Sequence, residues 1–280
     1  MSRLTITCGL LLLSSWANPV LATPGTQTPA LPRARVYTVK AYGYELPQVQ
    51  LPSAAASRRI NSHLARLIFR SNVDSEVDSL APLAQQLRRA ARACCYADGH
   101  WLAPGQGFVG CTYSVLLNQG GLLSLQYNLT YCGAHEVYGQ GYITFDLRTG
   151  YPVRLEQLVN DPAARLQRRM QLAVNRRFRD NLRDAEAQYG KTEKLAEVAE
   201  HYGWDWKADG VRDFGANLTQ FALTPTHLLL FYAVSFHRLD NEFEPNDTYR
   251  FSYGSLLPSP LLRPATELRA SSVRGKRAVK

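Results

Sequence analysis

Alternation is the strongest pattern in the chain, and it is concentrated between residues 111 and 159. Tyr113, Val115 and Leu117 alternate with Thr112 and Ser114. After Asn118 to Gly121, the odd positions are Leu123, Leu125, Tyr127, Leu129 and Tyr131, while the even ones include Ser124, Gln126, Asn128 and Thr130. A period of two sends successive side chains to opposite faces of a strand, so the stretch predicts a hairpin with one buried and one polar face. Matching those faces also sets the register. A three-residue loop of Gln119, Gly120 and Gly121 pairs Val115 with Leu125; a two-residue loop at Gln119-Gly120 pairs it with Ser124 and misaligns the apolar sides. Tyr142 to Phe145 reads as the next strand, Asp146-Leu-Arg-Thr-Gly150 as its turn, and Pro152 to Leu155 as a further extended segment.

Helical spacing appears on either side. Ile60, Leu64 and Ile68 recur every four residues within Ser53 to Phe69. Val77 to Cys95 carries Leu80, Leu83, Leu87 and Ala91 on one side, with Pro82 suited to a first turn. A long helix begins after Pro162, with Asn160 or Asp161 as its cap and a stripe of Leu166, Met170, Val174, Phe178 and Leu182. Lys191 to His201 suggests a shorter helix. Strand character occurs at Val36 to Glu45, at Phe221 to Leu223 and from His227 to His237, and the tail after Leu262 reads as loose. Together these predict an α+β fold, a mostly antiparallel sheet packed against helices.

The first 22 residues change the picture of compartment. Arg3, the apolar run Ile6 to Trp16 and the small residues ending at Ala22 form a cleavable secretory signal, too short to span a bilayer, which takes about 20 residues. Residues 23–35 read as a flexible leader, 36–104 as an N-terminal α+β subdomain, 105–264 as a C-terminal one and 265–280 as a basic tail. The expected location is periplasmic or secreted, with no transmembrane anchor. Loss of the signal removes Cys8 and leaves Cys94, Cys95, Cys111 and Cys132, an even number that in an exported chain predicts two disulfides. Cys111 shares the apolar parity of Tyr113 and Cys132 the polar parity of Thr130, so those two point to opposite faces. Cys94 and Cys95 are neighbours, and a bond between them is strained. Each is therefore expected to join one strand cysteine, in either of two ways. The absence of a Cys-x-x-Cys pair argues against a metal site, and no cofactor motif is present.

Charge adds little specificity. Without residues 1–22 the chain holds 31 basic residues (32 less Arg3) against 23 acidic ones, a net +8. The excess lies mainly in Arg165 to Arg179 and Arg274 to Lys280. Such a surface suits anionic partners, such as the bacterial envelope or an acidic polymer, or serves only solubility. Nucleic acid is not expected, because export removes it and no recognition motif accompanies the charge.

Three segments carry a family resemblance: Asn128-Leu-Thr-Tyr-Cys-Gly-Ala-His135, Tyr142-Ile-Thr-Phe-Asp-Leu-Arg-Thr-Gly150 and Val153-Arg-Leu-Glu-Gln-Leu-Val159. They resemble the extracytoplasmic domain shared by the lysozyme-sensing anti-sigma factor RsiV and the envelope polysaccharide deacetylase PdaC. Phe221-Ala-Leu-Thr224 and Phe251-Ser-Tyr253 fit its later parts, so the likeness runs from Ile60 to Leu262. Cys132 and Glu136 depart from the family's glycine-rich turn. The resemblance implies the fold and a role in binding a wall component or a lysozyme-like protein. It does not imply signalling to a sigma factor, and the deacetylase's catalytic unit has no counterpart here.

The polar cluster in this region is His135 with Glu136, Tyr131 and Tyr138. A histidine at a strand end beside a carboxylate suits general-base chemistry, ligand contact, or simply bonding of the turn's own backbone. His227 and His237 lie among apolar residues and read as structural. Trp204 and Trp206 suit sugar stacking or core packing, and the acidic run Asp240 to Asp247 lacks calcium-loop spacing. Three functions are compatible with these residues. The first, which they favour, is a non-enzymatic binding module for an envelope component or lysozyme-like protein. The second is an envelope polysaccharide hydrolase or deacetylase using His135. The third is a structural envelope protein without a ligand. No catalytic residue is assigned.

Overall fold

The computed structural model describes residues 31–41, 44–70, 96–97, 100–101, 107–132, 136–190, 215–234 and 246–267, with the single positions 85, 88, 196 and 244. Residues 31–280 belong to one compact unit. In chain order the elements are β1 (Arg35–Ala41), β2 (Tyr44–Gln50), α1 (Ala54–Arg70), β3 (Tyr96–Ala97), β4 (His100–Trp101), β5 (Gly107–Gln119), β6 (Leu122–Cys132), β7 (Glu136–Asp146), α2 (Leu155–Leu158), α3 (Ala163–Tyr189), β8 (Phe221–Leu223), β9 (His227–Phe231) and β10 (Thr248–Ser252). One five-stranded sheet has the order β1-β2-β5-β6-β7, a second has the order β10-β9-β8, and β3 pairs with β4. All ladders are antiparallel except the short β2–β5 contact, where Tyr44 meets Cys111. The α+β reading with helices packed on antiparallel sheets therefore stands.

The predicted pairing of Val115 with Leu125 is present, but the turn that produces it is different. Gln119 pairs with Leu122, so the loop is the two-residue Gly120-Gly121. Both glycines have positive φ, +61° and +79°, the geometry of the tight hairpin turn whose twist matches its strands. A bulge then adds Leu116 between Val115/Leu125 and Leu117/Ser124 and restores the apolar match. The extra residue also reverses the facing of the residues after it. Val115 shares a face with Leu125, whereas Leu117 shares one with Ser124.

That reversal lets the big sheet serve two cores. Toward α1, Leu123, Leu125, Phe145 and Leu147 pack with Val49 of β2 and with Ala56, Ile60 and Leu64 of the helix. Toward α3, Leu117 and Leu122 join Leu158, Leu166, Met170, Val174 and the apolar side chains of β8, β9 and β10. The predicted α3 stripe is fully realised: Leu166, Met170, Val174, Phe178 and Leu182 are all buried. Its predicted cap is not. The position before the helix is Pro162, without a side-chain cap, and Asp161 instead accepts the Leu257 amide through Oδ2 at 2.7 Å.

Two turns dock by their lack of side chains. Gly150 has φ +77°, and a Cβ there would lie 2.5 Å from the Ala56 carbonyl oxygen, so this turn abuts α1. The Asp146 carboxylate closes it, accepting from the Arg148 amide at 3.0 Å. Gly120 similarly leaves room for the backbone of Ala265. The tail beyond Leu262 is accordingly ordered at its start. Residues 263–267 are helical, Leu262 and Ala265 are buried, and the Gln119 side-chain amide donates to the Ala265 carbonyl at 2.9 Å.

The expectation of two disulfides is overturned at Cys111, whose thiol is free and buried. Cys111 stands within β5, opposite Leu129 on one side and Tyr44 on the other, where it packs as a small apolar side chain. Burial pushes its thiol up to about 12, and the negative charge of Glu45 adds to the rise. A neutral thiol so placed is neither a nucleophile nor a ready disulfide former. Cys94, Cys95 and the side chain of Cys132 lie outside the described residues; of the helices expected at Val77 to Cys95 and Lys191 to His201 only Gln85, Arg88 and Ala196 are described, each of them helical.

Candidate functional site

The predicted polar cluster sits where β6 passes into β7. Cys132 pairs with Glu136, Tyr131 with Val137 and Thr130 with Tyr138. His135 and the side chains of Tyr131 and Glu136 lie outside the described residues. Tyr138 is described, and it is 72% exposed, the most exposed large apolar or aromatic side chain among those described.

Tyr138 belongs to a coherent surface. Strand alternation and register put it on one face with Thr130, Asn128, Gln140 and Thr112. Asn128 donates to Thr112 Oγ1 at 3.4 Å and accepts from Gln126 Nε2 at 3.3 Å. The same face is buried at the other end of the hairpin. There Thr144 donates to Ser124 Oγ at 3.0 Å, the Leu223 amide donates to the same oxygen at 3.0 Å, and Tyr142 stacks on Phe231 with centroids 3.6 Å apart. β8 and β9 thus cover the Gly120-Gly121 end, and the Tyr138 end presents hydroxyls and amides outward. The Tyr142 phenol, close to this boundary, is pushed up to about 12, mainly by burial and further by Asp247.

A cleft of about 520 Å³ lies beside the β7 edge, between Tyr142, Val153, Leu166 and Phe221. Its walls are mostly apolar. The buried acid at its base, Asp161, is already engaged by the Leu257 amide and by Arg169 at 3.9 Å, and the rim pair Arg154–Glu156 closes on itself at 2.8 Å. Such a cleft can take an apolar group, and its polar atoms hold the fold. Three separate chain segments build it, so no local sequence pattern announces it.

The other singled-out residues divide simply. His227 begins β9, and its Nδ1 shares a hydrogen bond with Thr226 Oγ1 at 2.6 Å. Tyr253 donates to the Thr224 carbonyl at 2.6 Å, and burial raises its ionisation well above the usual range. His237, Trp204 and Trp206 lie outside the described residues. Among the described residues no three His, Cys, Asp or Glu side chains gather as metal ligands, and no helix is long and apolar enough to cross a membrane.

The sequence matches no family model and no curated protein. Its fold is similar to that of solved structures. A DUF3298 family protein from Pseudomonas aeruginosa PAO1 aligns over 84% of this chain and 96% of its own, with TM-score 0.46 and 17% identity. A DUF3298 family member from Bacteroides fragilis aligns over 84% and 96% with TM-score 0.50 and 13% identity. At that identity the likeness is one of fold: the chain carries a DUF3298-type fold.

Proposed function

We propose that the protein is a non-enzymatic binding module of the bacterial cell envelope, periplasmic or secreted. Its partner is a wall component or a lysozyme-like protein. The contact surface is the outward face of β5–β7 at the Tyr138 end, with His135 and Glu136 contributing at the adjoining turn. The observation that carries this reading is the exposure of Tyr138 on a face of hydroxyls and amides. An exposed tyrosine offers a rigid apolar ring with a polar tip, the chemistry favoured at recognition surfaces for proteins and sugars. The secretory signal read in residues 1–22 and the strand signature support this compartment and this class of partner.

The test is capture of lysozyme and of purified peptidoglycan by the full chain, beside Tyr138→Ala and His135→Ala. Retention of one partner by the parent chain, weakened in Tyr138→Ala with the melting temperature unchanged, is expected. Capture of neither partner sinks the proposal.

A further inference from the structure

The outward side of α3 carries a single sign of charge. Its buried stripe runs through Leu166, Met170, Val174, Phe178 and Leu182. At about 3.6 residues per turn, the line opposite that stripe passes through Arg165, Arg168, Leu172, Arg176, Arg179 and Arg183. Five of these six positions are arginine and none is acidic. Arg165, Arg168, Leu172, Arg176 and Arg183 are exposed. Among the described residues, none of these four exposed arginines makes an ion pair. The helix's other arginines, Arg169 and Arg177, are bonded to Ser255 and to the carbonyls of Asn246 and Thr248. Its acids come late: Asp180 and Asp184 lie to the side of the row and Glu186 beyond its end.

The placement does not serve the helix itself. The amino-terminal end of a helix dipole is positive and favours acids in the first turn, and the carboxy-terminal end favours bases in the last. α3 has the reverse. Arg165 stands in a first turn without an acid, and Glu186 in a last turn without a base. Nor are the arginines offset by neighbours one turn away. From Ala163 to Phe178 the helix holds five arginines and no acidic residue, so like charges face one another along it. A face that serves only solubility mixes the two signs. The charge complement of this row therefore lies outside the chain.

We infer that the outward face of α3 lies down on an anionic lipid bilayer, with the arginine row against lipid phosphates and Leu172 entering between the headgroups. At about 1.5 Å per residue the row from Arg165 to Arg183 is about 27 Å long. As the outer pole of a helix it is a convex ridge, which a bilayer meets along its length. Each guanidinium can give two N–H donors to phosphate oxygens. Leu172 decides between a bilayer and a soluble polyanion. It is 42% exposed in the middle of the row. A chain of phosphates gains nothing from it there, whereas the headgroup–acyl boundary accepts an apolar side chain among basic ones. The methylene stems of the arginines enter the same boundary while their charged ends stay at its surface. The β5–β7 face takes no part, so this inference and the binding reading above stand or fall separately.

The experiment is cosedimentation with lipid vesicles at low ionic strength, using the chain from Thr23 onward. Residues 1–22 are left out because their apolar run binds lipid by itself, and residues 31–280 belong to one compact unit. Vesicles of phosphatidylcholine mixed with phosphatidylglycerol are compared with pure phosphatidylcholine, and soluble polyphosphate is the alternative polyanion. Binding to the anionic vesicles alone, weakening as salt rises, is expected. Arg165→Gln combined with Arg168→Gln should weaken it about 25-fold, and Leu172→Gln about threefold. Arg165→Glu separates binding from stability: vesicle affinity should fall while the melting temperature rises, because an acid in the first turn suits the dipole. Four results overturn the inference. They are no binding to anionic vesicles, equal binding to neutral ones, binding of polyphosphate without binding of vesicles, and parent-like vesicle binding in the double arginine variant or in Leu172→Gln. The last of these, in the arginine variant, assigns any vesicle binding to the basic tail at residues 274–280.

Discussion

The hydroxyl of Ser124 accepts the main-chain amide of Leu223 and the hydroxyl of Thr144, each at 3.0 Å, inside fully buried surroundings. It is the point at which the small sheet is bonded to the large one. Ser124→Ala leaves the Leu223 amide without an acceptor and should cost about 1–3 kcal/mol, read as a lower urea midpoint with unchanged m-value.

Gly150 and Gly190 both have φ near +77°, but they differ in surroundings. Nothing lies within 4 Å of a Cβ built on Gly190, whereas one on Gly150 meets the backbone of Ala56. Gly190, at φ +77° and ψ −178°, occupies a region essentially restricted to glycine, so Gly190→Ala should cost about 1–3 kcal/mol from backbone strain alone. Gly150→Ala adds displacement of α1 to its own positive-φ strain and should cost more, with a melting temperature below that of the Gly190 variant.

Cys111 predicts an alkaline weakness. Its thiol moves from 9.0 to about 12 in the folded protein, with burial the larger cause. Above pH 9 the unfolded chain releases this proton and the folded chain keeps it, so rising pH favours unfolding. The thiol's contribution is complete below pH 9 and is lost between pH 9 and about 12. Tyr142 and Tyr249, raised from 10.0 to about 12, act in the same direction. Cys111→Ala should make the alkaline fall in stability shallower. Mass mapping after alkylation at pH 8 should find the Cys111 peptide modified only in denaturant.

Arg177 predicts an edge effect. Its guanidinium covers the carbonyl of Thr248, the first residue of β10, and that of Asn246 just before it, on an outer strand of the small sheet. Arg177→Ala should lower stability by about 1 kcal/mol and expose the edge to other chains. Sedimentation velocity should then show more self-association than in the parent.

What could be read in the sequence was what repeats locally. The α3 stripe from Leu166 to Leu182 is as its spacing of four predicts, and the alternation from Leu123 to Tyr131 fixes the partner of Val115. What escaped depended on distant chain segments. Two glycines at 120 and 121 suit either a two- or a three-residue turn, and only the Leu116 bulge reconciles the short turn with the apolar match. Asp161 is in the right place to cap α3 but bonds the Leu257 amide, a partner 96 residues away. The tail looked loose because Leu262 and Ala265 show no period, yet both are buried. The cysteine count spoke for disulfides, but a count carries no distances, and Cys111 lies buried with a free thiol. The Tyr138 surface was half legible: the hairpin end was marked by Tyr-Cys-Gly-Ala-His, while the exposure of that tyrosine required the register.

The extra residue at Leu116 makes position 116 a matter of counting more than of chemistry. Swapping its side chain leaves the arithmetic of β5 intact. Deleting it sets Leu117 directly after Val115, so the two still face opposite sides, and every pair from Val115–Leu125 to Gln119–Leu122 persists as a regular ladder with Leu117 in the α3 core. Homologous sequences can therefore vary in the letter at this point and also lose it, whereas a one-residue gap at 115 or 117 would remove a paired residue from the ladder.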